Sequence, residues 1–237
     1  MVNNEKKKIS RADKIEWMLG LCVLIITTLT IMQIEDDYER VMGKNEKGYT
    51  IVVDAGHGGK DPGKIGITGQ LEKDINLMIS QKVKEQLEKE GMHVIMTRTE
   101  DVTATGSKDS SKGEDMNARI DIINQEMVDL CVSIHQNSYT SEEVSGAQVF
   151  YYTNSKEGKT LAQKIQGRLI EFVNPQNHRQ EKADNSYYIL LHSSCPTVIV
   201  ECGFLSNSKE ALSLEKPDYQ DKIAQAICLG IQDYLSR

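Results

Sequence analysis

Two histidines and two glutamates occupy places where the pattern of the sequence calls for turns and strand ends. His57 lies in DAGHGG (residues 54–59), where glycines permit tight turns and close approach of the backbone to a ligand. The wider stretch GHGGKDPG fits neither the dinucleotide-binding fingerprint nor the P-loop, and a turn histidine is the plainer alternative. Glu72 opens a predicted helix, a place the helix dipole favours for acids in any case. His135 closes an apolar strand and is followed by polar Gln136, Asn137 and Ser138; a satisfied core histidine is its alternative. Glu201 interrupts TVIV before CGF, although carboxylates are rarely buried and ionised without a partner; a structural ion pair is the competing reading. Together the four suggest a metal with an adjacent base. Two imidazoles and one carboxylate on zinc leave a fourth position for water, whose pKa the ion lowers to about 7. A second carboxylate, off the metal, can then carry the proton to a leaving nitrogen. That is the chemistry of amide hydrolysis. The compact H-E-x-x-H helix is absent, so the ligands must come from separate strand ends.

The elements that position them follow from periodicity. β-branched or apolar runs predict strands at residues 50–54, 93–97, 129–135, 147–152 and 197–200, with a further short strand at 187–191. Helical spacing of apolar residues predicts helices at 72–90, 114–127, 159–173 and 219–235. Residues 100–113, polar and rich in Ser, Thr and Gly, read as a long mobile loop. Strands alternating with helices imply α/β architecture, a largely parallel sheet covered on both faces, with its functional crevice at the carboxyl ends of the strands.

The chain has 237 residues and a formal net charge of −7. That charge provides no basic footprint for a phosphate backbone, which argues against nucleic acid as a partner. Five cysteines without a C-x-x-C pair provide neither a disulfide framework nor a cysteine zinc knuckle. Residues 17–34 carry no charge; as a helix they would span about 27 Å, close to the roughly 30 Å of a bilayer core. Lysines and Arg11 precede this stretch and acids follow it, an asymmetry that keeps the first 16 residues cytoplasmic and the remainder outside. The expected organisation is a cytoplasmic basic segment at 1–16, a single-pass anchor at 17–34, a linker at 35–48 and a catalytic domain at 49–237. A cleaved signal is the rival, but bulky residues stand where a small-residue cleavage site belongs.

IVVDAGHGGKDPG (51–63), Glu72 before a helix, SIHQNS (133–138) and VIVECGFLSN (198–207) together resemble the zinc-dependent N-acetylmuramoyl-L-alanine amidases of peptidoglycan, the family often numbered third among amidase folds. The resemblance implies a twisted, mostly parallel sheet of about six strands flanked by helices. It implies one zinc ion held by His57, Glu72 and His135, with Glu201 as catalytic acid and base, and it suggests substrate-side or supporting roles for Asn137 and for Arg119 in NARIDIIN. His192 stands where many members carry Lys or Arg, and His93 and His178 match nothing in the family. The short chain, lone anchor and the stretch KADNSYYILLHSSCPTVIVECGFLSN look like the germination-specific subgroup, which strips stem peptides from muramic acid in spore cortex before muramic-δ-lactam forms. Expected partners are peptidoglycan and, through the N-terminal helix, the membrane, with a protein activator left open. Two rival functions remain: a non-catalytic peptidoglycan-binding module on the same fold, and a thiol peptidase using Cys202.

Overall fold

The computed structural model describes residues 17, 18, 20, 21, 23–33 and 48–236. The basic segment at 1–16 and nearly all of the linker at 35–48 lie outside these residues. The chain divides into two units, Met1–Gly48 and Tyr49–Arg237. In the first, the described residues between 17 and 33 are helical and their side chains exposed. Among the described residues no helix is long and apolar enough to cross a membrane, so the anchor expected at 17–34 draws no support from the structure.

The second unit is built on a six-stranded sheet. Its strands are β1 (Thr50–Ala55), β2 (His93–Met96), β3 (Leu130–Asn137), β4 (Gln148–Tyr152), β5 (Lys182–Asp184) and β6 (Thr197–Phe204), in the order β2-β1-β3-β6-β4-β5. β2, β1, β3 and β6 are parallel, β4 is antiparallel to β6, and β5 is parallel to β4. The helices are α1 (Glu72–Lys89), α2 (Lys112–Ile123), α3 (Lys156–Phe172), α4 (Tyr188–His192), α5 (Ser208–Leu214) and α6 (Pro217–Leu235).

Strand alternation sends neighbouring side chains to opposite faces. Ile51, Val53, Val132, Ile134, Val198 and Val200 pack with α1, α3 and α6. Val52, Cys131 and Ile199 join Ile123, Ile189 and Leu190 of α2 and α4 on the other face. Both faces are therefore covered, as parallel strands require.

Three expectations change. Residues 187–191 are not a strand: from Tyr188 they form the one-and-a-half-turn helix α4, because Ile189 and Leu190 adjoin in sequence and both face the core. The edge strand β5 and helix α5 escape a periodicity reading because they are too short to show a period. The stretch expected as a long mobile loop is fastened. Asp101 accepts hydrogen bonds from Lys73 Nζ (2.8 Å) and the Gly59 N–H (3.0 Å), and Thr103 is buried. From Lys112 the chain is already helical, started by a capping box between Ser111 and Glu114.

Candidate active site

His57 lies two residues beyond β1, while His135 and Glu201 are register partners near the carboxyl ends of adjacent parallel strands β3 and β6. Glu72 is the first residue of α1. The sheet edge and one helix start thus bring together residues that sequence separates by more than a hundred positions, at the crevice such sheets favour.

The Glu72 carboxylate is the hub. Its Oε1 lies 3.3 Å from His57 Nε2 and 3.0 Å from His135 Nδ1. The same oxygen accepts the Gln136 N–H at 3.0 Å, and Oε2 accepts the Lys64 N–H at 2.8 Å. Burial opposes ionisation of Glu72, but the hydrogen bonds and positive potential of the two histidines hold its carboxyl far below the ordinary range. Asp61, which the sequence reading passed over, accepts from His57 Nδ1 at 2.8 Å and from the Gly63 N–H at 3.0 Å. It fixes which ring nitrogen of His57 faces Glu72. Burial favours the neutral ring of His57, yet Glu72 and Asp61 together raise its pKa.

His57 adopts φ 60°, uncommon for a residue with a side chain. Arg119 holds that turn by donating to the His57 carbonyl at 2.7 Å. Gly63, at φ 65°, makes room for the cluster, since a Cβ there would lie 2.6 Å from Glu72 Oε2 and 2.7 Å from His57 Cδ2. Gly63→Ala is expected to weaken metal binding about tenfold or more, by analogy with the loss of a supporting contact. Chelator competition measures this; unchanged affinity would mean that Glu72 moves aside at no cost.

One ligand atom from each of His57, Glu72 and His135 falls within 4.8 Å of the other two. Two imidazoles and one ionised carboxylate converging on one point fit zinc, whose usual ligands these are.

Glu201 is 6% exposed. Its Oε1 accepts from the Tyr187 hydroxyl at 3.3 Å, whereas Oε2 is buried with no hydrogen-bond partner among the described residues. Burial lifts the Glu201 carboxyl to about 6, against the opposing pull of His135. A carboxyl with its pKa near neutrality can both accept and return a proton. It faces a cleft of about 490 Å³ lined by His57, Glu72, His135, Tyr187, Tyr188 and Glu201, among others.

Arg119 and Asn137, for which substrate-side or supporting roles were expected, sit in different surroundings. Arg119 touches the cleft floor but is only 2% exposed. Its guanidinium is committed to Asp54, Asp115 and the carbonyls of Ala55 and His57. Sequence alone hides this, because a helical arginine reads as solvated until its facing acids are known. Asn137 bonds its own turn, accepting the Ser138 N–H at 2.8 Å. Gln136 and Ser138 line the cleft around it, the register having shifted between His135 and Asn137. His192 lies away from the cluster, its ring 4.0 Å from that of Tyr188.

Cys202 follows Glu201 in β6 and therefore faces the opposite side, inside the core with Val198 and Val200. Burial pushes its thiol well above the ordinary range, the reverse of what a nucleophile needs. Cys202→Ala is expected to leave hydrolysis intact; loss of turnover from a folded, metal-loaded variant would restore the thiol mechanism.

Fold and site together set His57, Glu72 and His135, a group that could hold a metal ion, beside a separate buried carboxylate, Glu201, at the carboxyl edge of an α/β sheet. Residues 51–233 match the family described as N-acetylmuramoyl-L-alanine amidase (Amidase_3). The chain belongs to this N-acetylmuramoyl-L-alanine amidase family and is an enzyme of that class. It is 40% identical over 194 residues to the germination-specific N-acetylmuramoyl-L-alanine amidase of Bacillus subtilis (strain 168), covering 80% of this chain and 81% of that one. The CwlD amidase from Clostridioides difficile, solved in complex with the GerS lipoprotein, superposes with a TM-score of 0.76 at 40% identity, over 79% of this chain and 98% of that one. An N-acetylmuramoyl-L-alanine amidase from Clostridium difficile 630 gives a TM-score of 0.71 at 30% identity, over 80% of this chain and 97% of that one. The resemblance stated from the motifs, to the family and to its germination-specific members, therefore holds.

Proposed function

We propose that this chain uses zinc to hydrolyse the amide between the lactyl group of N-acetylmuramic acid and L-alanine in peptidoglycan. The observation that carries the reading is the meeting of His57, Glu72 and His135 in a cleft also lined by the buried Glu201 carboxylate. Bound zinc supplies Lewis acidity, which makes water a nucleophile near neutral pH and polarises the amide carbonyl. His57, Glu72 and His135 would hold the ion, Asp61 orients His57, and Arg119 fixes the turn that carries it. The Glu201 carboxylate takes the proton from the attacking water and returns it to the nitrogen of L-alanine as the C–N bond breaks. A pure binding module has no use for that buried carboxylate, which favours catalysis over the non-catalytic reading.

The germination-specific relative supports a role in spore cortex, where removal of the stem peptide precedes muramic-δ-lactam formation. The lipoprotein complex of the structural neighbour supports a protein partner for this chain as well. The uncharged stretch at 17–34, with bases before it and acids after it, supports a single-pass membrane anchor and an extracytoplasmic catalytic domain. Protease added to intact protoplasts should digest that domain, and protection of the whole chain would overturn the topology.

Mass spectrometry of peptidoglycan incubated with the purified chain and zinc tests the activity. Stem peptides with a free N-terminal L-alanine should appear, and a chelator should suppress them. Cleavage that persists after zinc is removed to below stoichiometric levels would refute the metal mechanism.

A further inference from the structure

Tyr187 has no role in the chemistry described so far, yet its hydroxyl is the one hydrogen-bond donor that reaches Glu201 among the described residues. We propose that Tyr187 is a positioning residue for Glu201: its phenol holds Oε1 and so fixes the orientation in which the carboxylate meets the cleft it lines. This inference rests on Glu201 being the base.

A carboxylate on a flexible side chain offers two oxygens and several rotamers, and only an oriented one lies within reach of the water proton at the moment of attack. Glu201 lacks the backbone N–H donors that fix Glu72, so its orientation depends on the side chain across from it. Tyr187 is well placed to impose that orientation, because its own position is fastened on several sides. Its ring packs on Phe150 of β4 with centroids 5.6 Å apart. It is the N-cap residue of α4, and the next residue, Tyr188, donates to Asn117 of α2 at 3.4 Å. Asn124, the residue closing α2, donates to the His192 carbonyl at 2.9 Å and accepts the Ser194 N–H at 2.7 Å. The short helix is thus clamped to α2 at both ends, and Ile189 and Leu190 anchor it in the core. Burial and the nearby Glu201 and Asp184 carboxylates push the Tyr187 phenol upward, so it stays protonated and keeps donating. Tyr187 neither gains nor loses a proton in the reaction; the proton passes from water to the Glu201 carboxylate and on to the leaving nitrogen.

The test is steady-state kinetics of the zinc-loaded full chain on muramoyl peptides, comparing wild type, Tyr187→Phe, Glu201→Gln and the double variant. Tyr187→Phe keeps the ring that packs on Phe150 and removes only the hydroxyl. Its kcat should fall about tenfold, the size of a lost hydrogen bond to a charged group. KM and zinc stoichiometry should stay at wild-type values. In the Glu201→Gln background the same change should have no further effect, because two residues acting through one another are not additive. Unchanged kcat in Tyr187→Phe, a loss that tracks zinc content, or a full tenfold loss on top of Glu201→Gln would each overturn the assignment. Wild-type turnover by Glu201→Gln itself would instead remove Glu201 as the base, an outcome separate from any result for Tyr187.

Discussion

Glu201→Gln should lower amide hydrolysis by at least ~10²-fold, the ordinary contribution of a general acid-base residue, while leaving zinc content unchanged. The substitution is nearly isosteric, so the packing beside Ile199 and the hydrogen bond from Tyr187 have a replacement partner. What disappears is the basic oxygen, for an amide cannot take a proton from water and give it to a leaving amine. Glutamine also brings no charge into a position where the carboxylate Oε2 has no partner among the described residues. The variant is therefore expected to be at least as stable as wild type, since burying an unpaired polar or charged atom is costly. This pairing of lost activity with retained stability and metal separates a catalytic role from a structural one. Elemental analysis, thermal melting and release of peptides with a free L-alanine terminus are the three readouts. Retained turnover, or loss that follows loss of zinc, would take Glu201 out of the mechanism.

Arg119→Met should be the most destabilising single change near the site. The guanidinium bridges Asp54 and Asp115 inside the protein, and Asp54 is 1% exposed. Removing one partner of a buried ion pair costs about 3–5 kcal/mol because the other charge is stranded. In a domain of this size that corresponds to a fall in melting temperature of roughly 6–20 °C. The pH dependence follows from Asp54. Burial alone would raise its pKa, but Arg119, Ser133, His135 and Thr97 hold it below the ordinary value. Its folded pKa is thus depressed, so its stabilising contribution is present above the unfolded pKa and is lost as pH falls through the folded one. Without Arg119, the burial of Asp54 goes unopposed, and protonation relieves the stranded charge. The gap in melting temperature between wild type and Arg119→Met should therefore narrow on acidification. A gap that widens on acidification, or no gap at neutral pH, would show that Arg119 is not the counter-charge. The variant also loses the bond to the His57 carbonyl, so weaker zinc binding should accompany the lower stability.

Both variants depend on information that the sequence divides unevenly. The strands β1, β3 and β6 are legible because each opens with a mainly apolar run long enough to be buried on both faces. The helices α1, α3 and α6 show a period because each spans four or more turns. His57, Glu72, His135 and Glu201 stand out one by one, as polar groups at the ends of such elements. Asp61 carries a weaker signal, a carboxylate four residues after a histidine in a glycine-rich turn. Tyr187 carries none, since a tyrosine beside apolar residues looks like core, and reading residues 187–191 as a strand placed its ring by the wrong period.

The sequence by itself determined the alternation of strands and helices, the ends of the central strands and the polar residues that break them, because burial and periodicity are local properties of the chain. It could not determine which of those residues meet. The register that sets His135 beside Glu201, the pairing of Arg119 with Asp54, and the reach of Tyr187 across to Oε1 depend on contacts between segments far apart in the chain. Such contacts are decided by packing and by the neutralisation of buried charge, which act only once the sheet has assembled.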